Sequence, residues 1–239
     1  MVRTLLIRGM LVGVLAGLLA AGFAYVFGEP SVDWAIAFEE QAAKAAGEPE
    51  EAELVSRSVQ STIGLLTGIT LVGAALGGLF GIAFAFAQGR LGRMSPGATA
   101  LVLALAGFVV LLLVPQLKYP ANPPAVGSPD TIGLRTNLYF GLLGLSVLFA
   151  GLGFAFGQAV SRNKGRWAGT LAGAILYVTA IGIALAAMPT INEVPDAFSP
   201  AVLWNFRVAT LGIGVVMWAT LGLGLGSLAE WWPLRNMQR

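Results

Sequence analysis

The residues best equipped for chemistry lie in three proline-bracketed stretches. Glu29 and Asp33 flank Pro30 in Phe27-Gly28-Glu29-Pro30-Ser31-Val32-Asp33. Asn122 and Asp130 lie in a stretch from Pro115 to Arg135 that also holds Pro120, Pro123, Pro124 and Pro129. Asn192, Glu193 and Asp196 surround Pro195, shortly after Pro189. Proline fixes φ and lowers the entropy lost on ordering, so such a loop can serve as a rigid site or lid. Carboxylates with amide oxygens are hard ligands suited to divalent cations. Glu29, Asp33, Asp130, Asn192, Glu193 and Asp196 therefore form a candidate metal set, with Asn122 a further amide oxygen. The competing reading places the same acids in structural ion pairs with Lys118, Arg135 and Arg207. Residue types leave both open.

Other chemistry is poorly supplied. The chain has no cysteine and no histidine, which removes the usual transition-metal ligands and most hydrolase triads. No nucleophile–base pair can be assembled, so we expect no enzyme and no tightly bound cofactor. Nor is there a glycine–lysine phosphate loop, so any energy input must come from a gradient or a separate subunit.

The elements that must position these residues are apolar. Of 239 residues, 56% are hydrophobic and 11% charged, against about a quarter charged in soluble domains. Six stretches have roughly the ~20 residues needed to cross a bilayer: Leu5–Phe27, Ile63–Ala87, Ala98–Val114, Leu138–Val160, Trp167–Met188 and Val208–Ala229. The fold class expected is an all-α integral membrane protein, a single domain over residues 1–239 built as a six-helix bundle of three up-down hairpins. The outer loops are then 28–62, 115–137 and 189–207. Although Arg3 and Arg8 make the first stretch resemble a secretory signal, its length and its glycines favour a retained helix.

Charge alternates between the connections. Arg3, Arg8, Arg90, Arg93, Arg162, Lys164, Arg166, Arg235 and Arg239 fall in alternate segments against one acid, Glu230. By the positive-inside rule those segments, and both termini, are expected in the cytoplasm. Trp231 and Trp232 beside Pro233 read as an interfacial anchor.

Glycines recur every four residues at Gly9/Gly13/Gly17 and Gly73/Gly77/Gly81, with shorter runs at Gly64/Gly68, Gly153/Gly157, Gly169/Gly173 and Gly222/Gly226. Such ridges let helix backbones approach closely within one chain or between subunits. The neutral groups Thr67, Thr70, Ser146, Thr179, Thr210 and Thr220 are expected to bond helix to helix or to line a path. A helix over Val32–Ala46, capped by Ser31 and ended by Gly47, would carry Trp34 and Phe38 on one face. A second would start at Pro49, with Glu50, Glu51 and Glu53 near its positive end, and run through Leu54, Val55, Ser58 and Val59 into the next span. The acids Glu48, Glu50, Glu51 and Glu53 can also draw cations electrostatically. A weak internal repeat pairs Phe84-Ala85-Phe86-Ala87-Gln88 with Phe154-Ala155-Phe156-Gly157-Gln158, and Val114-Pro115 with Met188-Pro189.

The loop strings LKYPANPPAVGSPDTIGLRT (Leu117–Thr136), INEVPDAF (Ile191–Phe198) and LWNFRVATLG (Leu203–Gly212) run in order with three shorter pieces. Those are Leu6-Ile7-Arg8-Gly9-Met10-Leu11, the FGEP of Phe27–Pro30 followed by Asp33, and Val55-Ser56-Arg57. In these strings the chain resembles the CbtA family, the membrane subunit of a cobalt transporter in bacteria and archaea. The resemblance implies cobalt uptake across the cytoplasmic membrane, with cobalt or another divalent cation as transported substrate. It also implies a small single-helix partner, CbtB-like, with a histidine-rich end. Family members often carry histidines in the first outer loop, whereas Gln41–Glu53 here offers only Glu and Lys. Histidines for capture must then come from a partner, or the substrate differs. Lipid, and a homo-oligomer or larger membrane complex, are the remaining expected partners, and nucleic acid is not. The alternative is a non-transporting scaffold that holds another membrane complex through its glycine faces.

Overall fold

The structure is a computed structural model that describes residues 2–47 and 55–231. Among them it is helical with no strand. The elements are α1 (Val2–Phe27), α2 (Glu29–Ala46), α3 (Arg57–Ala87), α4 (Pro96–Lys118), α5 (Ile132–Ala187) and α6 (Pro200–Trp231). All but α2 are long and apolar enough to cross a membrane, giving 5 candidate spans. The chain divides into two compact units. One comprises Met1–Phe108, Asn122–Ala125 and Ala197–Arg239; the other comprises Val109–Ala121 and Val126–Asp196.

In the first unit α1 is the central element, packed against α3 and α6, while the first part of α4 lies on α6. The buried side of α1 is Leu5, Gly9, Val12, Gly13, Ala16, Gly17, Ala20, Ala21 and Ala24, a stripe at helical spacing made mostly of small residues. The stripe lets two backbones touch. A Cβ added at Gly9 would fall on the Gly77 carbonyl, one at Gly13 on Gly73, and one at Gly17 on the backbone at Thr70. From the other side, Gly73, Gly77 and Gly81 meet the backbones at Gly13, Gly9 and Leu5. Dispersion across such a seam is a gain that lipid does not match. On α6, Leu221 and Leu225 are fully buried, and Gly222 and Gly226 receive Ala104 and Gly97 of α4.

In the second unit α5 carries one non-helical residue, Gly165, at φ 83 and ψ 164. A straight helix would hold residues 153 and 173 roughly 30 Å apart at about 1.5 Å per residue. Instead Gly153 lies against Gly173, and Gly157 against Gly169. The chain therefore folds back at Gly165 into two antiparallel limbs. That backbone conformation is essentially restricted to glycine.

Three local expectations are corrected. The helix after α1 begins at Glu29 with Gly28 as its N-cap, not at Ser31, because Pro30 is accommodated in a first turn that needs no N–H from it. Its end at Gly47, in the left-handed conformation at φ 73, agrees with the sequence. The next described helix begins at Arg57, so the expected unbroken helix through Val55 into the span is interrupted, while its expected start at Pro49 lies outside the described residues. Ser56 is extended at ψ 144, so Val55 and Ser56 stand outside it, and residues 48–54, including Glu48, Pro49, Glu50, Glu51, Glu53 and Leu54, lie outside the described residues. Finally, Pro115 does not end the third span. A π-helical segment, Phe108–Leu113, precedes it, and helix resumes over Val114–Lys118 with Pro115 in its first turn. There the missing proline N–H costs least.

Candidate functional site

Starting α2 at Glu29 has a chemical consequence. Glu29 and Asp33 become one helical turn apart on one face, close enough for a single guanidinium to reach both. Arg57, near the start of α3, does so. Its Nη2 pairs with Glu29 Oε2, and its Nε donates to Asp33 Oδ1 at 2.9 Å. Glu29 is buried, whereas the Asp33 side chain is 60% exposed. On the same helix Trp34 and Phe38 stack at 5.5 Å, and both meet the edge of buried Phe198 at 5.1 and 5.3 Å. That clasp holds α2 against the residues leading into α6.

The second cluster is built around Glu193. Its Oε2 accepts from the Ser128 N–H at 2.8 Å and from the Thr131 hydroxyl at 2.8 Å, with Arg135 Nε at 3.4 Å. Arg135 also donates to the Ser128 carbonyl and to Thr131 Oγ1. The Thr131 hydroxyl and then the Ser128 N–H hold the carboxylate below its ordinary range; desolvation opposes them, and the Arg135 charge adds a smaller stabilisation. The near end of the same loop is fastened separately. Tyr119 donates its hydroxyl to the Pro189 carbonyl at 2.8 Å, and Lys118 Nζ donates to Thr190 Oγ1 at 2.9 Å.

Of the candidate metal set, Glu29 and Asp33 belong to the first unit, and Asp130, Asn192, Glu193 and Asp196 to the second. Asp130, Asn192 and Asp196 are exposed. Among the described residues no group of three or more His, Cys, Asp or Glu gathers as a metal cluster. The expected ion-pair partners behave differently from one another. Arg135 meets an acid, Glu193, while Lys118 bonds a threonine and Arg207 donates to Asn122 Oδ1 at 2.8 Å. Arg57 is the partner that residue counting overlooked. Its signal was present in the i, i+4 spacing of Glu29 and Asp33, but became legible only with the correct helix start.

The neutral groups divide as well. Ser146 is fully buried and links three helical segments, donating to the Val110 carbonyl at 2.8 Å and sharing a 2.9 Å bond with the Tyr177 hydroxyl. Thr210 and Thr220 instead bond back to their own helix at Phe206 and Val216. At the far end of the first unit, Glu230 reaches from α6 to accept from the Gly97 N–H at 2.9 Å, at the positive end of α4. Trp231 is exposed, and Trp232, Pro233, Arg235 and Arg239 lie outside the described residues.

Five membrane-length helices joined by ion-paired and hydrogen-bonded loops define a multi-pass helical membrane protein. Residues 2–230 match the family model described as "Probable cobalt transporter subunit (CbtA)". The match covers nearly the whole chain, and the protein belongs to that family. The description makes it one subunit of an assembly. Comparison with curated proteins and with solved structures found no match.

Proposed function

We propose that this chain forms the membrane pathway of a divalent-cation uptake system, with cobalt as the first candidate substrate. The family match over residues 2–230 carries the reading. We take the chain to cross the bilayer six times, counting the two limbs of α5 separately, because its reversal at Gly165 follows the basic run Arg162–Lys164 and adjoins Arg166. With the positive-inside rule this puts both termini in the cytoplasm and the acidic loops outside. Substrate would approach through those proline-braced loops, where Glu29, Asp33, Asp130, Asn192, Glu193 and Asp196 offer hard oxygen ligands. Because Arg57 and Arg135 already neutralise three of these acids, a cation would have to compete with a guanidinium to bind them. A CbtB-like partner with a histidine-rich end would supply the softer ligands this chain lacks.

The test is uptake of radiolabelled cobalt under metal limitation by cells lacking the protein and by cells complemented with it. Uptake at the wild-type rate without the protein would overturn the transport reading. Wild-type uptake by a variant with Glu29→Gln, Asp130→Asn and Glu193→Gln together would overturn the loop assignment alone. The engagement of the carboxylates in ion pairs also suits a scaffold. Stoichiometric recovery with a non-transport complex, and no metal binding, would support that alternative.

A further inference from the structure

Within the first unit, Arg207 carries a charge that meets no counter-ion. Its side chain is half-buried on α6. Nη2 donates to Asn122 Oδ1 at 2.8 Å, a neutral amide, and Nε is enclosed without a hydrogen-bond partner. Asn122 belongs to the same unit. Among the described residues of that unit no carboxylate pairs with Arg207, whereas Arg57 has two, Glu29 and Asp33. A guanidinium taken partly out of water needs an opposite charge or a full set of acceptors, and this one has neither.

The helix sets this unmatched charge at the margin between protein and lipid. At about 100° per residue, Arg207 projects between Leu203, about 40° away, and Trp204, about 60° away. Leu203 is buried, while Trp204 is 68% exposed. Arg207 thus stands where the packed face of α6 gives way to its outward face. Its depth is marked as well. Val208–Ala229, which follows it, contains no charged residue, so Arg207 closes the apolar span at the end of α6 that begins at Pro200. Tryptophan, with an apolar ring and one polar N–H, collects at the level of lipid headgroups, and Trp204 lies less than one turn before Arg207.

From this placement we infer that Arg207 binds the phosphate of a phospholipid at that end of α6, with Asn122 holding the guanidinium in position. A phosphate diester offers anionic oxygens to a planar, permanently charged fork, a match that arginine makes better than lysine. Asn122 engages Nη2 and fixes the plane of the group. The enclosure of Nε limits hydration of the charge, which strengthens its attraction for an anion. What is recognised is the phosphodiester shared by phospholipids, not the remainder of any one headgroup. The inference does not depend on which ion the protein carries.

Native mass spectrometry of the full-length protein in a phosphate-free detergent, titrated with dioleoyl phosphatidylcholine, tests this. That lipid has no net charge, so the protein's total charge does not bias the titration. Arg207→Gln should weaken the tightest lipid-binding step about tenfold, the loss of one charge-assisted contact. Asn122→Asp supplies the missing counter-ion from within the chain and should weaken the same step to a similar extent. Because it is a near-isosteric change in a loop, it reads out even if Arg207→Gln folds poorly. Diolein, with the same acyl chains and no phosphate, should bind the wild type and both variants alike. Wild-type affinity for phosphatidylcholine in Asn122→Asp, or in a folded Arg207→Gln, would overturn the inference. A parallel loss of diolein binding would show altered packing and would also overturn it. Inorganic phosphate should not displace the lipid at equal concentration; displacement would assign the site to a soluble anion and overturn the lipid reading.

Discussion

At the scale of single residues, the carboxylates show how a charge in an apolar chain is kept. Glu29 is buried and depends on Arg57, which is three-quarters buried itself. Arg57→Ala should lower stability by roughly 2–3 kcal/mol, between the small value of exposed pairs and the large penalty of an orphaned buried charge. Adding Glu29→Gln to that variant should recover much of the loss, as thermal unfolding in detergent would show. No recovery would mean that Arg57 acts through packing alone. Glu193 allows a pH prediction. Its native proton affinity is below the ordinary value of 4.5, so the unfolded chain binds more protons as pH falls through and below that value. Its contribution is therefore complete above pH 4.5 and is lost as pH drops through the depressed native value. Hydrogen exchange of residues 189–196 should accelerate over that acidic window in the wild type. In Glu193→Gln the exchange should already be faster at neutral pH and should lose this dependence.

Among helices, backbone proximity decides which glycines matter. Gly77→Val would drive a side chain into the Gly9 carbonyl, and overpacking of this kind costs about 1–3 kcal/mol or more. Gly22→Ala and Gly68→Ala, in the same two helices, meet nothing within 4 Å and should be neutral or stabilising by up to about 1 kcal/mol. Equal losses at all three positions in a thermal-shift assay would show that helix propensity, not the seam, is being measured. At Gly165 the constraint is conformational. A Cβ there has open space, yet φ 83 with ψ 164 is strained for any other residue, so Gly165→Val should cost about 1–3 kcal/mol. The loss should be confined to the α5 limbs in limited proteolysis.

For the molecule as a whole, topology is the quantity to measure. With six crossings, single cysteines at Arg90, Arg162 and near either terminus should resist a membrane-impermeant thiol reagent in intact cells. Cysteines at Asp130 and Asp196 should react. Labelling that separates the two termini across the membrane would mean an odd number of crossings and would require a different reading of Gly165. The same cysteine-free background serves all of these measurements.

Much of this was legible in the residues alone, because the physics involved is local or periodic. An apolar run long enough to span a bilayer must be helical, since lipid offers its backbone no hydrogen-bond partner. The glycine ridges, Gly47 as a helix end and the family strings are likewise written in order along the chain. Tertiary structure decided what depends on residues brought together from far apart. It joined Arg57 to Glu29 and Asp33, and Glu193 to residues more than sixty positions earlier. It also set Gly9 on Gly77, and showed that Pro115 lies in a resumed helix because a π-helical segment precedes it. Spacing sets which side chains share a face, but only the packed chain selects the partner that face meets.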